Sequence, residues 1–122
     1  MAATSEQRFA QQLKKGVLEM LVLQLLSLKP SHGYELIVRL CEKGGGLLDL
    51  KEGTLYPILY RLEEEGCITS EWNSPNGTVS PGKIPRRVYT VTEAGRAVLT
   101  KQRETWHRFV DCVEQSLEGE SP

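Results

Sequence analysis

Several things are scarce in this chain, and each scarcity removes a class of function. Cysteine is rare and odd in number: Cys41, Cys67 and Cys112 are scattered through 122 residues with no CxxC pair. Neither a disulfide framework nor a zinc ribbon fits that pattern. They read as small core hydrophobes of a protein kept in a reducing cytosol. The two histidines do not stand at ligand spacing with them. His107 and Asp111 lie one turn apart on an expected helix, but as a solvated face, and no metal is expected. Cationic excess is also absent, with 15 Lys and Arg against 16 Asp and Glu. A strongly basic balance, which would favour nucleic acid outright, is therefore missing; that weakens the expectation of nucleic-acid binding without removing it, because charge placement can matter more than charge total. No apolar run is long enough for a membrane span. The best one, Val17–Leu28, is broken by Glu19 and Gln24, and no small-residue cleavage site follows it. It reads as a buried helix, and the protein is expected to be soluble and cytoplasmic, with no membrane partner. There is no Gly-rich phosphate loop, no Ser/His/Asp grouping and no positioned carboxylate pair. Nothing points to an enzyme, and no cofactor is expected.

What remains is a sequence of well-marked helices. A first helix runs from about Glu6 to Leu28, with Phe9, Leu13, Val17, Met20, Leu21, Leu25 and Leu28 at helical spacing. Its second half is apolar nearly all round, which implies contact on two sides. Lys29-Pro30 ends it. A second helix follows Ser31-His32-Gly33 with Ser31 as its expected N-cap, and Gly44-Gly45-Gly46 stops it. A third covers the segment from Lys51 to Gly66. Cys67–Trp72 alternates as a strand, Asn73–Pro85 is rich in breakers, and Arg86–Val91 is a second strand, so a hairpin is predicted. Thr92 caps a last helix reaching about Leu117.

The third helix is the most informative stretch. Leu55, Ile58, Leu59 and Leu62 share one narrow face at 100° per residue. Gly53, Thr54, Tyr56, Pro57, Tyr60 and Arg61 occupy the rest, and Glu63, Glu64 and Glu65 are held back at the far end. Small residues, hydroxyls and a cation near the N-terminal end, with the positive end of the helix dipole, suit a helix pressed tip-first against DNA. Lys51 adds a cation at that tip. The hairpin supplies Lys83, Arg86 and Arg87 within five residues, either a phosphate grip or an ordinary solvated turn. Three helices followed by a hairpin is the order of a winged helix-turn-helix. The expected fold is therefore mainly α with a small β-hairpin. Residues 6–91 would form the winged helix-turn-helix and 92–118 a C-terminal dimerisation helix. Along that last helix Leu99, Trp106, Val110, Val113 and Leu117 form a heptad-like seam.

Three strings now carry a resemblance. His32-Gly33-Tyr34-Glu35, then Gly53-Thr54-Leu55-Tyr56-Pro57 with Leu62-Glu63, then Tyr89-Thr90-Val91-Thr92-Glu93-Ala94-Gly95-Arg96 resemble the signatures of PadR-type transcriptional regulators. The likeness runs from about Leu13 to Val113, and the single last helix is similar to the compact branch of that family. It implies a homodimer on a palindromic operator in double-stranded DNA, a repressor role, and a small aromatic or drug-like effector. By position, the DNA-facing residues would be Tyr34, Thr54, Tyr56, Pro57, Tyr60 and Arg61, joined by Lys83, Arg86 and Arg87. Tyr34 either donates to a phosphate or packs as a half-buried ring. Tyr56 either reads DNA or wedges between the third helix and the wing. Pro57 costs one helical hydrogen bond and bends the helix. Trp106 either fills the dimer interface or stacks on a flat ligand there.

Two departures stand out. Lys51-Glu52 occupies the place of the family's Ser-Pro, a cap weaker by roughly 1 kcal/mol. The wing is a loop punctuated by Pro and Gly rather than a simple basic turn. The rival expectation is a dimeric protein-interaction or ligand-binding module that has lost DNA binding, a reading favoured by the near-neutral charge.

Overall fold

A computed structural model describes residues 4–73 and 86–119. Among these residues four helices and three short strands follow in the order α1 (Ser5–Leu28), β1 (Ser31–His32), α2 (Gly33–Gly44), α3 (Glu52–Glu64), β2 (Ile68–Trp72), β3 (Arg87–Val91) and α4 (Glu93–Leu117). α1 begins with a reciprocal cap: the Gln7 N–H donates to the Thr4 hydroxyl and the Thr4 N–H to the Gln7 side chain. It ends where Pro30 forbids continuation. α2 stops at Gly45, whose φ of 55° is the left-handed region that favours glycine. The turn after α3 is closed in the same way by Gly66.

The apolar faces meet in one core. Leu18, Val22, Leu23 and Leu26 from α1, Leu36 and Leu40 from α2, and Leu55, Leu59 and Leu62 from α3 are essentially sealed from water. The predicted inner face of α3 is thus its buried face, Ile58 included. Ile68 and Val91 close the core from the sheet, and Leu99 of α4 from above.

Three local expectations change. Of the cysteines read as core residues only Cys67 is buried, while Cys41 and Cys112 lie exposed on the outer faces of their helices. The sheet has three strands, antiparallel, in the order β1-β3-β2. The extra strand is Ser31–His32, which pairs with Tyr89 and Val88. Consequently Ser31 does not cap α2. It is fully buried, and its hydroxyl accepts from Arg39, which also donates to the Leu25 carbonyl. His32 is the cap: its Nδ1 accepts the Glu35 N–H while Glu35 Oε1 accepts the His32 N–H. Serine is the better cap in isolation, but here the first turn of α2 is set by the strand pairing that precedes it.

The root of α4 is docked tightly. The Thr92 N–H donates to the Cys67 carbonyl at 2.9 Å, and its hydroxyl donates to the Gly66 and Cys67 carbonyls. Gly95 is buried against that same corner. A Cβ there would strike the Cys67 carbonyl oxygen. α4 packs on α1 over its first turns, and Gly95 and Leu99 are its buried residues. Beyond them it projects from the core with Trp106, Phe109, Val113 and Leu117 exposed, while Phe9 and Leu13 are exposed on the first half of α1. No helix among the described residues is long and apolar enough to cross a membrane.

Candidate nucleic-acid interface

Burying Leu55, Ile58, Leu59 and Leu62 turns the opposite side of α3 outward. Lys51, Gly53, Thr54, Tyr56, Pro57, Tyr60 and Arg61 are all exposed, Tyr60 at 79 %. Lys51 is the N-cap residue and its side chain makes no capping hydrogen bond, in keeping with the weak cap read from Lys51-Glu52. The Thr54 and Leu55 N–H groups instead converge on the Lys51 carbonyl, each at 3.0 Å. The ammonium of Lys51 is therefore left at the helix tip, beside the positive end of the dipole. Pro57 sits inside the helix, past the first turn, where its missing N–H removes a bond.

The other expected residues divide. Arg61 does not stand free on the outer face. Its guanidinium pairs with Glu19 of α1 at 3.3 Å, which ties the C-terminal half of α3 to α1. Tyr56 leans on α2: a Cβ at Gly33 would lie 2.7 Å from its hydroxyl. Only glycine at position 33 lets the ring stand there. Tyr34 is exposed beside it. On the wing side, the Arg87 guanidinium lies over the Trp72 ring at 5.4 Å, and that of Arg86 over Tyr34 at 5.8 Å. Among the described residues no carboxylate pairs with either arginine. Lys83 lies outside the described residues.

These groups wall a groove of about 480 Å³ between the start of α2, the outer face of α3 and the foot of the wing. Tyr34, Tyr56, Tyr60 and Trp72 form its apolar walls, Arg86 and Arg87 stand on its rim, and Glu52 from the first turn of α3 is the one carboxylate lining it. Tyr89 is nearly buried at its base. Burial pushes that phenol above its usual range, with the neighbouring Arg87 pulling the other way. The arrangement can bind an extended polyanion: hydroxyls and cations on a rim, aromatic faces for sugars or bases, and a helix tip beside it.

Sequence reading missed three participants. Trp72 was visible only as a strand residue, although an exposed indole opposite an arginine is a usable signal. His32 is legible as part of a motif but not as the cap. A heptad pattern on α4 steps over Phe109, although it stands three residues after Trp106 and four before Val113. In the expected dimer seam, Trp106, Val113 and Leu117 are exposed and Val110 half-buried, whereas Leu99 is buried in the chain's own core.

Comparison with known proteins bears on this site as a whole. Residues 22–101 match the profile of the Transcriptional regulator PadR-like family. A PadR family transcriptional regulator from Eggerthella lenta superposes with a TM-score of 0.79 at 34 % identity, covering 93 % of this chain and 92 % of that one. A PadR-like regulator from Bacillus cereus gives 0.71 at 30 % identity, over 89 % and 99 % of the two chains. A transcriptional regulator of Mycobacterium tuberculosis is 41 % identical over 69 residues, 57 % of this chain and 56 % of the relative. The chain belongs to the PadR-like family of transcriptional regulators.

Proposed function

We propose that the chain is a homodimeric, sequence-specific DNA-binding repressor that sets the exposed tip of α3 into a major groove and lays the foot of its wing along the adjacent backbone. The observation that carries this is the groove that brings Tyr56 and Tyr60 of α3 together with Arg86 and Arg87, two cations against the single carboxylate of Glu52, with exposed Lys51 and Thr54 at the tip of the same helix, on a protein whose net charge is −1. Such a surface is where a nearly neutral protein can release counterions from DNA. Thr54, Tyr56 and Tyr60 would face base edges, and Lys51, Arg86, Arg87 and Lys83 phosphates. Arg61, paired with Glu19, is the weakest member of the set read from the sequence.

Dimerisation is supported by the apolar side chains left outside. Phe9 and Leu13 on α1 and Trp106, Phe109, Val113 and Leu117 on α4 are each exposed, large apolar side chains that a partner chain could cover. A twofold pairing through them would present two α3 tips to an inverted repeat. The two Trp106 rings would then be candidates for stacking a flat effector, which could regulate binding only by favouring one dimer geometry over another.

A shift assay with random-sequence duplex across a salt series tests the reading. With roughly six to ten phosphates neutralised per dimer, affinity is expected to fall by about 10³ to 10⁵ between 50 and 200 mM salt. A chain that retains no duplex at the lowest salt would instead be the interaction module that its near-neutral charge favours.

A further inference from the structure

Three parts of the chain meet on the ring of His32. Its backbone lies in β1 and pairs opposite Val88 of β3. Its Nδ1 accepts the Glu35 N–H at 3.2 Å, and its own N–H donates to Glu35 Oε1 at 3.2 Å. Its Nε2 stands 3.2 Å from the same carboxylate oxygen. Because Nδ1 accepts the Glu35 N–H, the ring proton of the neutral imidazole belongs on Nε2, on the side near that carboxylate. The imidazole is therefore fixed in both orientation and tautomer before any partner arrives.

Arg86 rests against this fixed ring. Its Nη1 is 3.3 Å from Nδ1 and 3.3 Å from Nε2. Equal distances to both nitrogens put the cation across the ring rather than in line with one lone pair. Tyr34 flanks it. The backbone of Arg86 is held as well: its N–H donates to Asn73 Oδ1 at 3.3 Å, and its carbonyl accepts the Asn73 N–H at 2.9 Å. A long side chain is thus pinned at both ends, and its guanidinium forms the ridge between the aromatic groove and a second hollow bounded by Lys29 and Val38.

We infer that His32 is a positioning residue for DNA binding, whose imidazole seats the Arg86 guanidinium at the rim of the groove so that a backbone phosphate meets a cation already ordered. An unseated arginine loses its rotamer freedom when it grips a phosphate, whereas a seated one has lost it on folding. Its weakly hydrated head can rest Nη1 against the ring, which a strongly hydrated ammonium would do less well. The inference rests on the DNA-binding reading and adds to it a role for a side chain that need not touch DNA.

The test is a cycle of variants measured for duplex binding and thermal stability. His32→Asn keeps a good N-cap while removing the ring. It is expected to melt near wild type and to bind DNA on the order of tenfold more weakly, one arginine per subunit having to be ordered on binding. Its salt slope should stay that of wild type, because Arg86 still reaches its phosphate. Arg86→Ala should lower the slope by about two per dimer. Adding His32→Asn to Arg86→Ala should weaken binding no further. Arg86→Lys, a surface change that keeps the charge, should bind more weakly than wild type, and the difference between Lys and Arg should vanish in the His32→Asn background. Wild-type binding by His32→Asn, full additivity with Arg86→Ala, or an Arg86→Lys protein equal to wild type would overturn the inference while leaving DNA binding intact. A wild-type chain that binds no duplex would overturn both.

Discussion

The docking of α4 can be probed with one methyl group. Gly95 sits in the first turn of α4, where its Cα faces the corner between α3 and β2. In Gly95→Ala the new methyl would run into the Cys67 carbonyl oxygen and come within 2.9 Å of Val91 Cγ2. Neither neighbour is the free end of a flexible side chain. The carbonyl is backbone and already accepts from the Thr92 N–H and hydroxyl. α4 must therefore lift, which strains the corner by about 1–3 kcal/mol and weakens hydrogen bonds that are each worth about 1 kcal/mol. The better helix propensity of alanine returns at most about 1 kcal/mol. The net is a loss of about 2 kcal/mol, roughly 6–10 °C in thermal midpoint for a chain of this size. Gly16→Ala is the matched control. Gly16 lies within α1 with open space where its Cβ would go, so the same propensity is gained without a clash and the midpoint should rise by roughly 3–5 °C. Circular-dichroism melts at one fixed protein concentration decide it, since a dimer's midpoint moves with concentration. A Gly95→Ala protein as stable as wild type would refute the close seating of α4 on Cys67.

Other perturbations have equally definite outcomes. Phe109→Glu should weaken self-association at least about thirtyfold in sedimentation equilibrium, as loss of an interface hot spot does, and leave the subunit's helix content unchanged. Burial, with Glu65 and Glu19 adding to it, raises the Cys67 thiol, and the Asp49 carboxylate beside Cys41 raises that one. A thiol reagent at mild alkaline pH should therefore leave Cys67 unmodified until the protein unfolds, and Asp49→Asn should speed modification of Cys41. Cys67 and Tyr89 both hold their protons more tightly folded than unfolded. Their contribution to stability is complete below their unfolded values, about 8.5 and about 10, and disappears as pH rises through the folded ones, so urea midpoints should fall across that alkaline window. Glu19→Gln should cost less than about 1 kcal/mol, because the pair with Arg61 is solvent-exposed.

The helices were legible because their signals are local and repeated. Leu55, Ile58, Leu59 and Leu62 announce a buried stripe at a period of 3.6 residues, and all four are buried. Thr92 followed by Glu93 announces the start of α4, and Thr92 does accept from Gly95 N–H there. The third strand was not legible. Two residues carry no periodicity, and the partners of Ser31 and His32 lie more than fifty positions away. The same distance effect hid two features of the candidate site. The pairing of Arg61 with Glu19 spans 42 positions, and the seat of Arg86 on His32 spans 54. Residue type placed both arginines on a DNA-facing surface, but only tertiary contact separates the one engaged by a carboxylate from the one resting on a ring. Phe109 escaped for a different reason: a heptad template with Trp106, Val110 and Val113 as its members steps over the position between them.

Selection of bound duplexes from a random pool by the full-length chain at low salt tests the central claim most directly. The expected result is enrichment of an inverted repeat whose half-sites are centred about 34 Å apart, or a multiple of it, lost when Tyr60 and Arg87 are replaced together by alanine. A pool that emerges without any enriched sequence, from a protein verified as folded, would contradict it.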